Sequence, residues 1–311
     1  MIKRLPDSNS NLEEYLPFRD ISLIVSDIDG TLISGSDSVI KQIRKAIKKL
    51  EQQKVFLTIA TGRTFYGSKL LLNKLEIKTG MPIAFYNGSI VLEAGTENVL
   101  YSNFIPHLAI EKLLKVVPVG NTRVYLYVFE VISNALIENY DNLISEKVYG
   151  LGQRTKNDTY IEFDVNNLKI EWIDDFDFFD FSVNAILIET EQLNKHQLDN
   201  IESHLKSQNL LDYTNSGSGF IEIKAKGSNK GIIYDVIKNK NELLTKKILS
   251  IGDNDNDYEL FKFSDISVAV ANSSMSAIKT ADYICKNESS NGFLDMLNVI
   301  ITAKKYCKDG E

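Results

Sequence analysis

The chain has 311 residues, 43% hydrophobic and 25% charged, with 35 Lys+Arg against 42 Asp+Glu and a net charge of −7. That length carries one large or two ordinary domains with a sizeable core, and the acidic balance gives no electrostatic reason to bind nucleic acid or an anionic membrane. The two cysteines, Cys285 and Cys307, form no CxxC pair, so no zinc or redox site is readable.

The first twenty residues, MIKRLPDSNSNLEEYLPFRD, lack the apolar core of a secretory signal. No apolar run approaches the roughly twenty residues of a membrane span. Residues 1–20 are therefore expected to be a flexible lead on a cytoplasmic protein. From residue 21 short apolar strands alternate with amphipathic helices. ISLIVS reads as a buried strand. In the helix that follows, Val39, Ile40, Ile43, Ala46, Ile47 and Leu50 share one face, with Ser36 or Asp37 as its cap. VFLTIAT is a second strand, residues 64–75 a helix, and MPIAFYNG a third strand. Continuous apolar strands alternating with helices predict a parallel sheet covered on both faces.

The rhythm changes near residue 100. RVYLYVFE and SVNAILIE have the aromatic and β-branched composition of strands. TEQLNKHQLDNIESHLKS reads as a helix, the acidic-aromatic run at 171–182 as a strand edge, and NSGSGF (215–220) as a flexible linker. The first rhythm then returns, with a helix in NKGIIYDVIKNK, strands in KKILSIGD and ISVAVAN, and a last helix in GFLDMLNVIITAKKY. The pattern predicts an α/β fold: a doubly wound, Rossmann-like parallel sheet core, 21–103 and 220–311, interrupted by an inserted α/β cap domain, 104–219.

In such a sheet ligands bind at the carboxyl ends of the strands. The first strand ends in Asp27-Ile28-Asp29-Gly30-Thr31, the second in Thr61-Gly62-Arg63, the third in Asn87-Gly88, and the strand after the insert in Gly252-Asp253-Asn254-Asp255-Asn256-Asp257. The fold would bring these distant polar clusters to one rim, which a strand end serving stability alone does not need. Asp27 and Asp29, with Asp253 or Asp257, make a hard-oxygen set suited to Mg²⁺. A cation there offsets the repulsion between the carboxylates and neutralises a phosphate. An aspartate can attack phosphorus, and a second carboxylate can protonate the leaving oxygen and then activate water. Thr61 and the amides of Gly62 and Gly30 can donate to phosphate oxygens, and Lys230, opening the helix after the insert, supplies a compact cation.

Other readings compete. A lone DxD is more often a turn than a metal site. An EF-hand needs Gly at its sixth position and Glu at its twelfth, where DNDND has Tyr258 and Ser264. DIDGTL has Leu32 at its sixth, and there is no Walker A sequence. Lys226 and Arg63 read equally as solvated cations or as phosphate contacts. His107, His196 and His204 read as surface residues of helices.

DIDGTL, TIATGR, YNGS, KGSNKG, GDNDND and VAVAN, in that order, resemble the haloacid dehalogenase superfamily, and specifically its Cof-type hydrolases with a large α/β cap after the third core strand. The resemblance spans the chain from about residue 21 and implies a Mg²⁺-dependent phosphatase. Asp27 matches the nucleophile. Asp29 matches the general acid/base, whose backbone carbonyl also holds the metal, and Asp253 the third metal ligand. Asp257 matches a residue supporting metal-bound water, Thr61 and Asn256 the phosphate contacts, Lys230 the motif lysine, and Asn87-Gly88 the turn beside the substrate phosphate. Ala271 stands where that family usually has Gly before Asn272, and Cys285 where threonine is common. The resemblance implies a small phosphorylated metabolite as partner, a sugar phosphate or a phosphorylated cofactor. Nothing in the sequence points to a protein, nucleic-acid or membrane partner. A phosphosugar mutase on the same scaffold and a non-catalytic phosphometabolite sensor are the alternatives, the second disfavoured by the intact Asp27, Asp29, Lys230 and Asp253.

Overall fold

A computed structural model describes residues 2–33, 36–132, 143–153, 168–176, 182–215, 219–240 and 247–306. They divide into two compact units, 1–62 with 69–95 and 229–311, and 63–68 with 96–228.

Along the chain the first unit opens with β1 (Lys3–Arg4), α1 (Leu12–Tyr15), β2 (Ile21–Ser26), α2 (Asp37–Glu51) and β3 (Phe56–Ile59); α3 (Phe65–Leu75) starts in the second unit and ends in the first, which continues with β4 (Pro82–Phe85) and β5 (Ile90–Glu93). The second unit supplies β6 (Val99–Ser102), α4 (His107–Leu114), β7 (Arg123–Ile132), β8 (Leu143–Gly152), β9 (Ile170–Trp172), β10 (Val183–Glu189), α5 (Lys195–Ser207), β11 (Leu211–Asn215) and β12 (Phe220–Ala225). The first unit resumes with α6 (Ile232–Asn239), β13 (Lys247–Gly252), α7 (Tyr258–Phe263), β14 (Ile266–Ala269), α8 (Met275–Thr280), β15 (Tyr283–Ile284) and α9 (Ser289–Tyr306).

The first unit is built on a six-stranded sheet of order β1-β15-β14-β13-β2-β3, parallel throughout. Leu23, Ile24 and Val25 of β2 are buried, as are Ile43, Ala46, Ile47 and Leu50 of α2, so the helical face read from the sequence is the face that packs. Ser36 sits at the start of α2 without a side-chain cap. Strand β2 lies between β13 and β3, with Ser26 opposite both Ile251 and Ile59. That register sets the residues following Ser26, Ile251 and Ile59 side by side.

The lead carries defined elements where it is described. β1 adds an outer strand, Asn11 and Glu14 form a reciprocal cap on α1, and Phe18 is fully buried against Tyr283. A buried aromatic and a free strand edge supply the ordering that composition does not advertise. The third strand, β4, leaves the main sheet for an antiparallel pairing with β5 and keeps one parallel bridge, Ala60 to Ala84. The first unit resumes at residue 229.

The second unit carries a sheet of order β11-β12-β10-β7-β8-β9, antiparallel except for β9 against β8. Ile110, Leu113, Val124, Leu126, Ile186, Ile188, Ile201, Leu205, Ile221 and Ile223 fill its core. NSGSGF falls within the antiparallel pair β11–β12, where Asn215 faces Ile221, rather than between domains. Gly and Ser suit a hairpin connection as well as a linker, and residues 216–218 lie outside the described set, as do 177–181 of the acidic-aromatic run and Cys307. His107 is half-exposed, stacking on Phe176 at 4.8 Å, while His196 and His204 lie on α5. Lys226 is paired with Asp212 at 2.5 Å, which accounts for its charge. Among the described residues no helix is long and apolar enough to cross a membrane.

Candidate active site

The site grows from the register of β2. The Asp27 amide donates to Ile251 O at 3.1 Å, and the Ala60 amide to Ser26 O at 2.9 Å. Asp27 thus leaves the sheet between the end of β13 and the end of β3. Its carboxylate is buried, and so are the Lys230 ammonium and Asp257. Lys230 Nζ lies 2.7 Å from Asp27 Oδ1 and 2.7 Å from Asp257 Oδ1. One ammonium bridging two carboxylates out of contact with water is costly unless every charge is paired and hydrogen-bonded. The other Asp257 oxygen, Oδ2, accepts from the Asp253 amide at 2.9 Å and the Asn254 amide at 3.0 Å. The acid-rich GDNDND segment is therefore a short turn whose amides are held by its own carboxylate.

Asp27, Asp253 and Asp257 each bring a carboxylate oxygen within 4.8 Å of the others, a set that could hold a metal ion. The donors are all hard oxygens, which fits Mg²⁺ or a similar cation. Asp257 already spends both oxygens on Lys230 and two amides, so it suits a supporting part. Asp253 Oδ1 accepts from Thr31 Oγ1 at 2.8 Å. Burial pushes the Asp253 carboxyl up to about 6, against the pull of Thr31 and with Asp257 and Asp29 adding repulsion. Burial likewise raises Asp27, to about 8, with Lys230 pulling down and Asp257 pushing up. Burial alone would lower Lys230, but Asp257 and Asp27 keep its ammonium above its ordinary value. These raised carboxyls mark a site short of positive charge.

Asp29 is exposed, and its side chain is not one of the three clustered carboxylates. Gly30 beside it has φ +73, and a Cβ there would lie 2.2 Å from Asp253 Oδ2. Asp253 cannot step aside without leaving Thr31. Gly30→Ala is accordingly expected to keep the fold but weaken metal affinity by about 10- to 100-fold, the cost typical of a disturbed supporting contact. Calorimetric titration with Mg²⁺ reads that loss, and an unchanged affinity would show that Asp253 is not held by this approach.

A second set of groups lies on the same rim. The Thr61 amide donates to Ala84 O, and the Asn87 amide to Thr61 O, both at 2.9 Å. Asn256 Nδ2 donates to Asn87 Oδ1 at 3.1 Å. Gly62 lies against Asn87, where an added Cβ would sit 3.2 Å from the side-chain amide. Tyr86 and Asn87 both take left-handed backbone, φ 50 and 51, a strained pair of the kind found at functional turns. Gly88, φ +86, lets that turn approach Asn229, whose carbonyl a Cβ would meet at 2.0 Å. Asn229 precedes Lys230, so this close approach seats the lysine. The structure therefore places Thr61, Gly62, Asn87, Gly88 and Asn256 in one contact chain, and Asp27, Asp253, Asp257 and Lys230 in another, joined through the neighbours Asn256-Asp257 and Asn229-Lys230.

Two supports escaped the sequence reading. Asn272 Nδ2 donates to Gly30 O at 3.1 Å while its Oδ1 accepts from the Ser289 amide at 2.8 Å. The Ser274 amide donates to Asp253 O at 2.8 Å. An asparagine just past a strand end was the available signal. Ala271 before it makes an ordinary backbone bond to Asn287 O and displaces nothing.

A parallel sheet interrupted by a second α/β unit, with two aspartates one residue apart past the end of β2 and a buried lysine bridging carboxylates, is the frame of a phosphate-ester hydrolase. The model of the haloacid dehalogenase-like hydrolases matches residues 24–297, and the chain belongs to that family. It is 26% identical over 274 residues to the Bacillus subtilis 5-amino-6-(5-phospho-D-ribitylamino)uracil phosphatase YcsE, covering 88% of this chain and 93% of that protein. To the same organism's phosphatase YitU, named for the same substrate, it is 22% identical, over 80% and 86% of the two chains. A crystal structure of a haloacid dehalogenase-like hydrolase from Bacteroides thetaiotaomicron shares the fold with a TM-score of 0.70 at 24% identity, over 90% of this chain and 99% of that one.

Proposed function

We propose that the protein is a Mg²⁺-dependent phosphatase that hydrolyses a small phosphate monoester through an aspartyl-phosphate on Asp27. The observation that carries this reading is the buried Asp27–Lys230–Asp257 bridge within the three-aspartate cluster. Asp27 would attack phosphorus, and the ester P–O bond would break. Asp29 would give a proton to the leaving oxygen, then take one from the water that cleaves the aspartyl-phosphate. Lys230 would hold a phosphoryl oxygen and lower the cost of ionising Asp27. Thr61, Gly62 and Asn256 would orient the remaining oxygens, with Asn87 and Gly88 fixing their turn. Asp27, Asp253 and the Asp29 carbonyl would hold Mg²⁺, with Asp257 in support; when bound, the ion supplies charge that offsets the carboxylates and the phosphate. The relatives' names favour a substrate with a phosphorylated polyol or sugar chain. The buried, unpaired Cys285 fits a reducing cytoplasm.

The test is phosphate release from a panel of sugar phosphates, FMN, pyridoxal phosphate and 5-amino-6-(5-phospho-D-ribitylamino)uracil, with and without Mg²⁺. Release that needs no metal would overturn the mechanism. Isomerised sugar phosphate without free phosphate would make the protein a mutase. Asp29→Asn should still bind Mg²⁺, since the proposed ligand there is a backbone carbonyl, yet lose turnover.

The raised carboxyls set a pH dependence. Folded Asp253 and Asp27 hold protons up to about 6 and about 8, whereas the unfolded chain releases them near 4. Between those values the folded state carries more protons, so their contribution to metal-free stability falls as pH rises from about 4 to about 8. Mg²⁺ must displace the same protons. The rise in Tm on adding Mg²⁺ is therefore expected to be small at pH 5.5 and large at pH 8, with proton release seen by calorimetry in two buffers. A Mg²⁺ effect independent of pH would contradict it.

A further inference from the structure

The loop after β2 folds back on itself, with the Leu32 and Ile33 amides both donating to Ile28 O, at 2.8 and 3.0 Å. Three consecutive residues of this loop are tied to three different segments. Gly30 O accepts from Asn272 Nδ2 at 3.1 Å, Thr31 Oγ1 donates to Asp253 Oδ1 at 2.8 Å, and Leu32 O accepts from Ser290 Oγ at 2.8 Å. Asp29 stands directly before the first of these ties, its side chain exposed. All of these residues belong to the first unit.

Asn272 is the tie nearest Asp29, and its side chain serves two backbones at once. Its Oδ1 accepts from the Ser289 amide at 2.8 Å, one of the amides that the start of α9 leaves without a helical partner. Ser289 holds φ 45, a left-handed backbone that strains a residue other than glycine. The strained residue is thus the one whose amide meets Asn272. The anchor is firm on both sides. Ser289 and Ser290 are buried, the Ala271 amide donates to Asn287 O, and the Ser274 amide to Asp253 O. A carboxamide carries its donor and its acceptor on one rigid plane, so the start of α9 sets where Gly30 O is held. Gly30 itself, at φ +73, has the widest backbone freedom of any residue type. Without the tie its peptide can turn and take Asp29 with it.

We propose that Asn272 is a positioning residue: by bridging Gly30 to the start of α9, it holds loop 28–33 in the arrangement that brings Asp29 to the leaving oxygen of the substrate. The proposal rests on the reading of Asp29 as the proton donor.

The test uses the full chain with Asn272→Ala, Asn272→Asp and Ser290→Ala. Asn272→Ala removes both bonds. Asn272→Asp keeps an acceptor for the Ser289 amide but sets a carboxylate oxygen against Gly30 O, so it loosens the loop without uncapping α9. Hydrogen exchange of the Leu32 and Ile33 amides in the metal-free protein reads the loop itself. It should quicken by about three- to tenfold in both Asn272 variants, the worth of one hydrogen bond. The second reading is the ratio of kcat/KM for p-nitrophenyl phosphate to that for glycerol 1-phosphate, with Mg²⁺. Nitrophenolate leaves without a proton and an alkoxide does not, so the ratio reports the donor. It should rise by about three- to tenfold in both variants, while the melting temperature falls for Asn272→Ala and stays near wild type for Asn272→Asp. Ser290→Ala, which loosens the loop from its far end, should shift exchange and ratio in the same direction by less. Exchange and ratio both unchanged in the two Asn272 variants would overturn the proposal and leave Asn272 a cap of α9, whatever the melting temperatures. Faster exchange with an unchanged ratio would overturn the link to Asp29. A raised ratio with unchanged exchange would overturn the clamp and make Asn272 a substrate contact. Faster exchange beside a wild type that hydrolyses no phosphate ester would overturn the phosphatase reading and uphold the clamp.

Discussion

Asp27→Asn is expected to lower phosphate release by about 10⁴-fold or more while leaving the metal-free protein as stable as the wild type, or more so. The first half follows from removing the proposed attacking oxygen, a loss that the remaining site groups cannot make good. The second half follows from the charge count around Lys230. In the wild type one buried ammonium serves two buried carboxylates at 2.7 Å each, and burial is the main force raising Asp27. An asparagine of the same shape removes one buried anion and leaves the Lys230–Asp257 pair intact, so a desolvation cost disappears and no group is orphaned. Mg²⁺ should then stabilise the variant far less than the wild type, because a cluster carboxylate is gone. Melting curves with and without Mg²⁺, beside phosphate release from the best ester of the panel, check both halves. Turnover that survives the substitution removes Asp27 from the mechanism. A variant that unfolds at 25 °C shows that the bridge needs both carboxylates.

The core sheet was legible because its strands are continuous apolar runs ending in polar residues that stability does not require. Asp27, Thr61 and Asp253 could be assigned to one rim from the order of elements alone, since a doubly wound sheet admits few arrangements. What escaped has physical causes. The order of the lead rests on one buried aromatic, Phe18, and two residues of strand pairing, a signal too short to have a period. The departure of β4 into a pairing with β5 is invisible because Pro82–Phe85 is equally apolar in either sheet. NSGSGF has a composition shared by linkers and hairpins, and only the Asn215–Ile221 register decides. The parts of Thr31 and Asn272 depend on contacts with residues 222 and 242 positions away. No local pattern encodes partners that distant.

Lys230→Met is expected to be the most damaging single substitution, because it harms stability and chemistry together. Methionine fills much of the lysine's volume, so packing is not the issue. Asp27 and Asp257 are left buried and facing each other without the cation that joined them. Breaking a buried pair by deleting one partner costs about 3–5 kcal/mol, a large share of an ordinary domain's stability. The protein can escape part of that cost by keeping a proton on Asp27, whose carboxyl is already raised to about 8 and loses the one contact pulling it down most. That escape is open only at low pH. The gap in Tm between Lys230→Met and wild type should therefore widen as pH rises from 6 to 9, which a cavity or packing defect would not do. The escape also removes the proposed nucleophile, since a protonated Asp27 cannot attack phosphorus, so activity should stay low across that range. The double variant Lys230→Met/Asp27→Asn separates the two effects. With the second anion gone, Asp257 keeps its two backbone amides, and most of the lost stability should return while turnover does not. A double variant as unstable as Lys230→Met alone would mean that Lys230 supports the fold through its stem and not through its charge.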